Sequence, residues 1–313
     1  PHLYFAYSAN AASNFTGQMY RFSDADSTSS TQLESSYPEA AKDPYTVLLL
    51  HFNEASGSTS GIKDYASTTR VITANGNAST TSATTQLGLG NSAAFDGTGD
   101  YLTVPDSDDW NFGSGDFTID FRMMFSTIGI ATFFFQGEID GTHSDKSVTV
   151  QYSSNTINLY YSTNGVNTNT KSFAWTPSVN IWYHIAFVRN GSNFSAFVNG
   201  AQIGATLSMG SDVIYNSTRE LVVGASWGDT NGYQQFFNGW LDEVRILKGR
   251  ALTTEEIKAA ASRRPYAVYT SPVVDATASV QWGTVNWTEG GARTGNGEQP
   301  YSTSSLVAQW DFN

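Results

Sequence analysis

The sequence predicts an all-β protein: an antiparallel β-sandwich of jelly-roll type, with one short helix and strand-rich flanking segments. Three observations lead there. Strand-length segments recur at 45–52, 69–74, 92–96, 100–104, 116–125, 130–136, 147–152, 156–161, 171–175, 181–189, 194–198, 201–207, 219–223 and 236–247, separated by Gly, Asn and Ser. Within 181–189, Trp182, His184, Ala186 and Val188 alternate with Tyr183, Ile185, Phe187 and Arg189, the two-residue period of a strand. Short turns join the segments that follow: Asn190-Gly191-Ser192-Asn193, then Asn199-Gly200. Asn-Gly suits a type I′ hairpin, which needs positive φ at both central positions.

Residues 1–44 read as an N-terminal arm or the end of a preceding unit. The opening P-H-L-Y-F-A-Y has strand composition, whereas the remainder, through Ser36, is polar and turn-like. The jelly roll is expected over 45–262, with Ala74–Leu87 as its loosest loop. Its helix starts at a capping box, with Thr253 as N-cap and Glu256 three residues on, and Pro265 closes it. Residues 263–313 form a C-terminal strand-rich segment. Its last stretch, Leu306–Asn313, keeps Val, Phe and Asn at the spacing they have in Val47–Asn53, as if a further repeat began there.

Hydrophobic residues make up 40% of the chain and aromatic residues 14%, enough to bury a core. Only 14% is charged, so the polar surface must be built from Ser, Thr, Asn and Gly. A net charge of −12 with no basic cluster beyond Arg263-Arg264 argues against nucleic acid, whose phosphates are bound through Lys and Arg. The absence of cysteine excludes disulfides and thiol chemistry. No apolar run approaches the roughly 20 residues of a membrane span. The chain opens on Pro1 without an apolar leader, as expected of a processed product or a piece of something longer.

Five stretches, taken in order, resemble the laminin-G-like branch of the concanavalin A-like lectin/glucanase jelly rolls over residues 45–262. They are L-L-L-H-F-N-E-A-S-G from Leu48, A-F-D-G-T-G-D-Y-L-T-V-P from Ala94, G-D-F-T-I-D-F from Gly115, W-Y-H-I-A-F-V-R-N-G with F-V-N-G from Trp182, and G-W-L-D-E-V-R-I-L from Gly239. The fold implied carries binding, catalytic and structural roles alike. The resemblance also implies a structural Ca²⁺ where the first and last strands meet, with Asn53, Glu54 and Asp242 as ligands; Asp64, in the loop after the first strand, is placed to join them. Asp96 and Asp100 offer a second oxygen-rich turn. Trp110, in D-W-N-F-G, is expected to pack under the sheet.

Glycoside hydrolases of this fold carry two carboxylates at close spacing on one strand. Here Glu138 and Asp140 fill the first places of that pattern, but Gly141, Thr142 and His143 follow, and the second Glu is missing. No G-x-S-x-G elbow occurs, and His184 reads as a core histidine. Glycan recognition needs aromatic faces beside amides and carboxylates. The segment Ala225–Gln235 supplies both, with Trp227, Asp229, Asn231 and Tyr233 as candidate ligand-binding residues and Phe236 beside them. Sequons at Asn14, Asn77, Asn190, Asn193, Asn216 and Asn286 suit an extracellular, cell-surface or virion-surface chain.

The leading expectation is therefore a non-catalytic adhesion or carbohydrate-recognition module whose partners are glycans or surface glycoproteins. The alternative is a filament or virion-fibre subunit, in which copies of the chain exchange terminal strands such as Leu306–Asn313 or Pro1–Tyr7 to cover exposed edges. A glycoside hydrolase is the third reading.

Overall fold

In a computed structural model of the chain, the described residues are 2–8, 15–22, 43–66, 70–84, 91–137, 145–228, 232–262 and 285–286. The chain forms two units, Pro1–Leu33 with Ala267–Asn313 and, between them, Glu34–Tyr266. In the first, β1 (His2–Ser8) pairs antiparallel with β2 (Phe15–Phe22). The strand β2 falls in a stretch read from sequence as polar and turn-like. Its Gly17, Gln18 and Arg21 interrupt the apolar positions, so alternation does not mark it, and pairing with β1 supplies its order.

The second unit contains β3 (Thr46–Leu50), β4 (Thr73–Asn75), β5 (Ser79–Thr81), β6 (Ser92–Asp96), β7 (Tyr101–Val104), β8 (Phe117–Phe125) and β9 (Ala131–Gln136). It continues with β10 (Val148–Ser153), β11 (Thr156–Tyr161), β12 (Asn169–Ala174), β13 (Trp182–Asn190), β14 (Asn193–Val198) and β15 (Ala201–Ser208). Last come β16 (Leu221–Val223), β17 (Ser226–Gly228), β18 (Gly232–Gln234), β19 (Asn238–Lys248) and the helix α1 (Thr254–Ser262). Back in the first unit, β20 (Val285–Asn286) runs parallel to β2, so leader and tail share one sheet. Leu306–Asn313 lies outside the described residues.

Two sheets make the sandwich. One has seven strands in the order β12-β11-β10-β9-β16-β7-β4; the other has eight, β15-β14-β13-β8-β19-β6-β5 with β3 also on β19. The long β19 pairs with β8 along one side and divides its other side between β6 and β3. Both turns marked in the sequence appear. Asn199 and Gly200 have φ of 49° and 80°, as a type I′ turn requires, and Gly191 (φ 60°) opens the equally short β13–β14 turn.

Alternation decides what is buried where. In β8, Phe117, Ile119, Phe121, Met123 and Phe125 enter the space between the sheets, while Thr118, Asp120 and Arg122 face outward. The Phe121 ring meets Phe133 at 5.1 Å and Phe134 at 5.3 Å from the facing sheet. Each such ring contributes about 2 kcal/mol by leaving water. Trp110 is fully buried beneath the sheet, as expected; its indole N–H donates to the Pro105 carbonyl (3.1 Å) and the Arg70 guanidinium lies over its ring.

Some local expectations needed correction. Among the described residues of the segment 69–74, the strand β4 starts only at Thr73, with Val71 in an isolated bridge to Lys63, and the described part of the loop at 74–87 contains β5. The strand β5 is Ser-Thr-Thr, with no apolar period to reveal it; contacts from Thr80 to Ser58 and Ala55 hold it in place. The 225–235 loop is likewise built on the β17–β18 hairpin.

Helix α1 covers part of the outer face of the eight-stranded sheet. Its capping box closes reciprocally: Glu256 N–H donates to Thr253 Oγ1 (3.2 Å) and Thr253 N–H to Glu256 Oε2 (2.8 Å). Ile257 and Leu252 pack on Ala186, Val188, Phe197 and Leu247. Beside them, Arg122 donates to the Ala260 carbonyl at the helix C-terminus (2.6 Å). Asp120 accepts two bonds from Arg245, both 2.8 Å, and meets His184 Nε2 at 3.2 Å. Burial pushes the Asp120 carboxyl up, but Arg245 and His184 more than offset it and hold it below the usual carboxylate range. His184 is thus a core histidine, and burial lowers its own pKa against the pull of Asp120.

Candidate functional site

The outer face of the seven-stranded sheet offers a different surface. Val148, Val150 and Tyr152 of β10 enter the core, which sends Ser147, Thr149 and Gln151 outward. On β11, Ile157, Leu159 and Tyr161 turn inward, so Asn158 and Tyr160 face out, opposite Gln151 and Thr149. A groove of about 240 Å³ runs over this face, lined by Lys146, Ser147, Thr149, Gln151, Tyr160, Tyr161, Thr168 and Gln235.

Gln235 reaches the groove from the segment between β18 and β19, with a left-handed backbone (φ 54°) that a non-glycine residue adopts at some cost. Its side-chain carbonyl accepts from Gln151 Nε2 (2.6 Å) and Ser226 Oγ (3.0 Å), and its main-chain carbonyl from Thr132 N–H (3.0 Å). These contacts orient the amide, leaving its NH₂ without a partner among the described residues. Gln151 Nε2 also bonds Thr132 Oγ1 (3.2 Å), so the acceptor end of Gln151 is left for the groove. A fixed donor beside a fixed acceptor matches neighbouring sugar hydroxyls, each of which donates and accepts.

The candidate loop lies beside this groove. Trp227 and Tyr233 face each other across β17 and β18, ring centroids 4.8 Å apart and nearly perpendicular. Tyr101 stacks on Tyr233 at 3.8 Å. With Phe236 they cover Phe135, Val222 and Ala225, a small apolar cluster outside the main core. Tyr233 O–H donates to Glu220 (2.5 Å); burial, then that carboxylate, pushes its pKa up. One face of Tyr233 is therefore occupied by Tyr101, and Trp227 is half-buried. Asp229 and Asn231 lie outside the described residues, as do Glu138, Asp140 and His143. Trp227, Tyr233 and Gln235 lay in the loop that the sequence singled out, whereas Gln151 and Tyr160 had no signal beyond strand parity.

The residues expected to hold calcium are dispersed in their bonding. Asp64 Oδ1 accepts from Leu49 and Ala66 N–H, and Oδ2 from Arg70. Asp242 is buried beside Arg122 and accepts from Glu243 N–H; burial and the Glu243 charge raise its pKa well above the usual range. Asn53 and Glu54 are adjacent in the loop after β3. Asn53 Oδ1 accepts from Asn91 N–H and Glu54 Oε1 from Lys63 N–H, while Glu54 Oε2 is buried with no partner. Among the described residues, no three His, Asp or Glu side chains gather as a metal-ligand group. The Asp96–Asp100 turn is tied internally: Asp100 accepts from Asn77 and Asp96 N–H.

Of the sequons, Asn190 and Asn193 are exposed at the β13–β14 turn, Asn216 is exposed, and Asn77 is exposed with its amide against Asp96 and Asp100. Asn286 is in β20, and Asn14 lies outside the described residues.

A family model described as the concanavalin A-like lectin/glucanases superfamily matches residues 96–258. The chain belongs to this superfamily. No curated protein matches it. Among solved structures, it is similar to the binding domain of botulinum neurotoxin DC in complex with rat synaptotagmin II (13% identity, TM-score 0.52, covering 69% of this chain and 51% of that one). It is also similar to the same toxin's binding domain in complex with SialylT (13%, 0.52, 71% and 52%). A third is a structure of botulinum neurotoxin type C, whose cell entry is dependent upon interaction with two ganglioside molecules (13%, 0.51, 69% and 50%). The chain spans about half the length of these structures, and at such identity the likeness is one of fold. No helix among the described residues is long and apolar enough to cross a membrane.

Proposed function

We propose that this protein is a non-catalytic carbohydrate-recognition module, displayed outside the cell or on a virion, that binds glycans or surface glycoproteins along the outer face of the seven-stranded sheet. The observation that carries the reading is the oriented Gln235–Gln151 amide pair on the floor of the groove, beside the Tyr160 ring and the Tyr101–Tyr233–Trp227 cluster. The neighbouring toxin domains, with their ganglioside, SialylT and synaptotagmin partners, accord with a binding role. A structural Ca²⁺ at Asn53 and Glu54 belongs to the same proposal, supported by the partnerless Glu54 Oε2.

The test is a glycan array on the full chain, followed by calorimetry with the sugars that bind. Gln151→Ala and Gln235→Ala each remove hydrogen bonds worth about 0.5–1.5 kcal/mol, so affinity should fall several-fold to tenfold. Trp227→Ala and Tyr233→Ala should also weaken binding, because their cluster supports the β17–β18 hairpin that leads into Gln235. Binding unaffected by all four substitutions places the site elsewhere.

A further inference from the structure

We infer that the sugar taken by this groove carries a carboxylate, held by Lys146; the inference rests on the glycan-binding reading above. Among the described lining residues Lys146 carries the single charge, and that charge is positive in a chain whose net charge is −12. Its described acidic neighbours are committed elsewhere. Asp145 faces Arg219 at 3.6 Å and accepts from Thr218 N–H, and Glu220 holds Tyr233 O–H. Lys146 has no carboxylate partner among the described residues.

Its backbone is nonetheless well fixed. Lys146 N–H donates to the Gly165 carbonyl at 2.9 Å. On its other side Gly137, at φ 119°, lets the chain approach so closely that a Cβ there would sit 2.9 Å from Lys146 Cα. A half-buried lysine beside neutral polar groups, with no counter-ion among the described residues, fits a ligand that brings the anion.

A second observation sits one residue on. Ser147 is 3% exposed and lines the same groove, and its hydroxyl has no hydrogen-bond partner. A buried polar atom without a partner is uncommon, and a ligand oxygen is one way to satisfy it. Lys146, Ser147, Thr149, Gln151 and Gln235 then divide the work by chemistry: a cation and a hydroxyl at one end for a carboxylate, amides at the other for ring hydroxyls. The volume equals that of about eight water molecules, suited to a uronate-type ring with its substituents.

The experiment uses the full chain and paired probes: oligogalacturonate, oligomannuronate and hyaluronan oligosaccharides, each beside its carboxyl-reduced, neutral counterpart. The expected result is binding of an acidic member, at least about tenfold weakened by carboxyl reduction. Lys146→Met should cause the same loss without changing Tm, and Lys146→Arg should restore binding. Neutral sugars bound as tightly as acidic ones, with Gln151→Ala harmful and Lys146→Met silent, would overturn the carboxylate inference and leave the glycan site standing. Acidic probes that bind regardless of Lys146→Met would also overturn it. If no glycan of either kind binds, the recognition reading falls with it.

Discussion

Replacing Arg245 by Leu should be the most damaging single change on the helix-covered face. The substitution leaves Asp120, 4% exposed, as a buried carboxylate that has lost both 2.8 Å bonds. Removing one partner of a buried ion pair costs about 3–5 kcal/mol, because the remaining charge is unsolvated. For a domain of this size each kcal/mol lowers Tm by about 2–4 °C, giving a fall of about 6–20 °C. The double variant Asp120→Leu/Arg245→Leu removes both charges and should recover most of that loss.

pH supplies an independent sign. In the native chain the depressed Asp120 pKa contributes stability that is present above the unfolded value of about 3.9 and lost as pH falls through the lower folded value. Without Arg245, burial is opposed only by His184 and raises that pKa relative to the native chain, so protonation relieves the variant and its deficit should shrink between pH 7 and pH 4. Guanidinium denaturation at the two pH values measures both effects. A deficit below about 1 kcal/mol at pH 7, or a double variant no better than the single, would refute the reasoning.

Three further outcomes are expected. Asp242 has a raised pKa, so its favourable contribution is complete below the unfolded value and declines as pH rises toward the folded one; Asp242→Asn should therefore stabilise the chain at pH 7 relative to pH 4, in paired melts. A side chain at Gly239 would place Cβ 2.0 Å from the Met124 carbonyl oxygen, and Gly239→Ala should cost about 3 kcal/mol by denaturant titration; a cost under 1 would show that β19 can shift. Calcium chloride should raise Tm and a chelator lower it, with the response gone in Glu54→Gln; no response in the native chain removes the ion from Glu54.

What could be read from the sequence was what short-range physics controls. The β8 strand alternates apolar and polar positions and β13 keeps the two-residue period of its faces, Asn199-Gly200 is a pair that makes a type I′ turn inexpensive, and Thr253 with Glu256 closes a cap within one helical turn. Each depends on neighbours a few residues away, so composition and spacing were enough for the strands, the turns, the helix and the jelly-roll class. Where a strand has no apolar period the signal vanishes, as in β5, whose order comes from Ala55 and Ser58 more than twenty residues earlier.

Tertiary structure decided the rest. Strand order places β9 between β10 and β16, which brings Gln235 onto Gln151, 84 residues earlier in the chain. It pairs Asp120 with Arg245 across 125 residues, and sets Lys146 and Ser147 beside the same amides. Trp227 and Tyr233 were visible in sequence as aromatics in a polar loop, but only the fold shows Tyr101 stacked on Tyr233. Hydrophobic alternation tells each residue which side of a sheet it occupies; it carries no information about which strand lies next to it, and the candidate site is made from that adjacency.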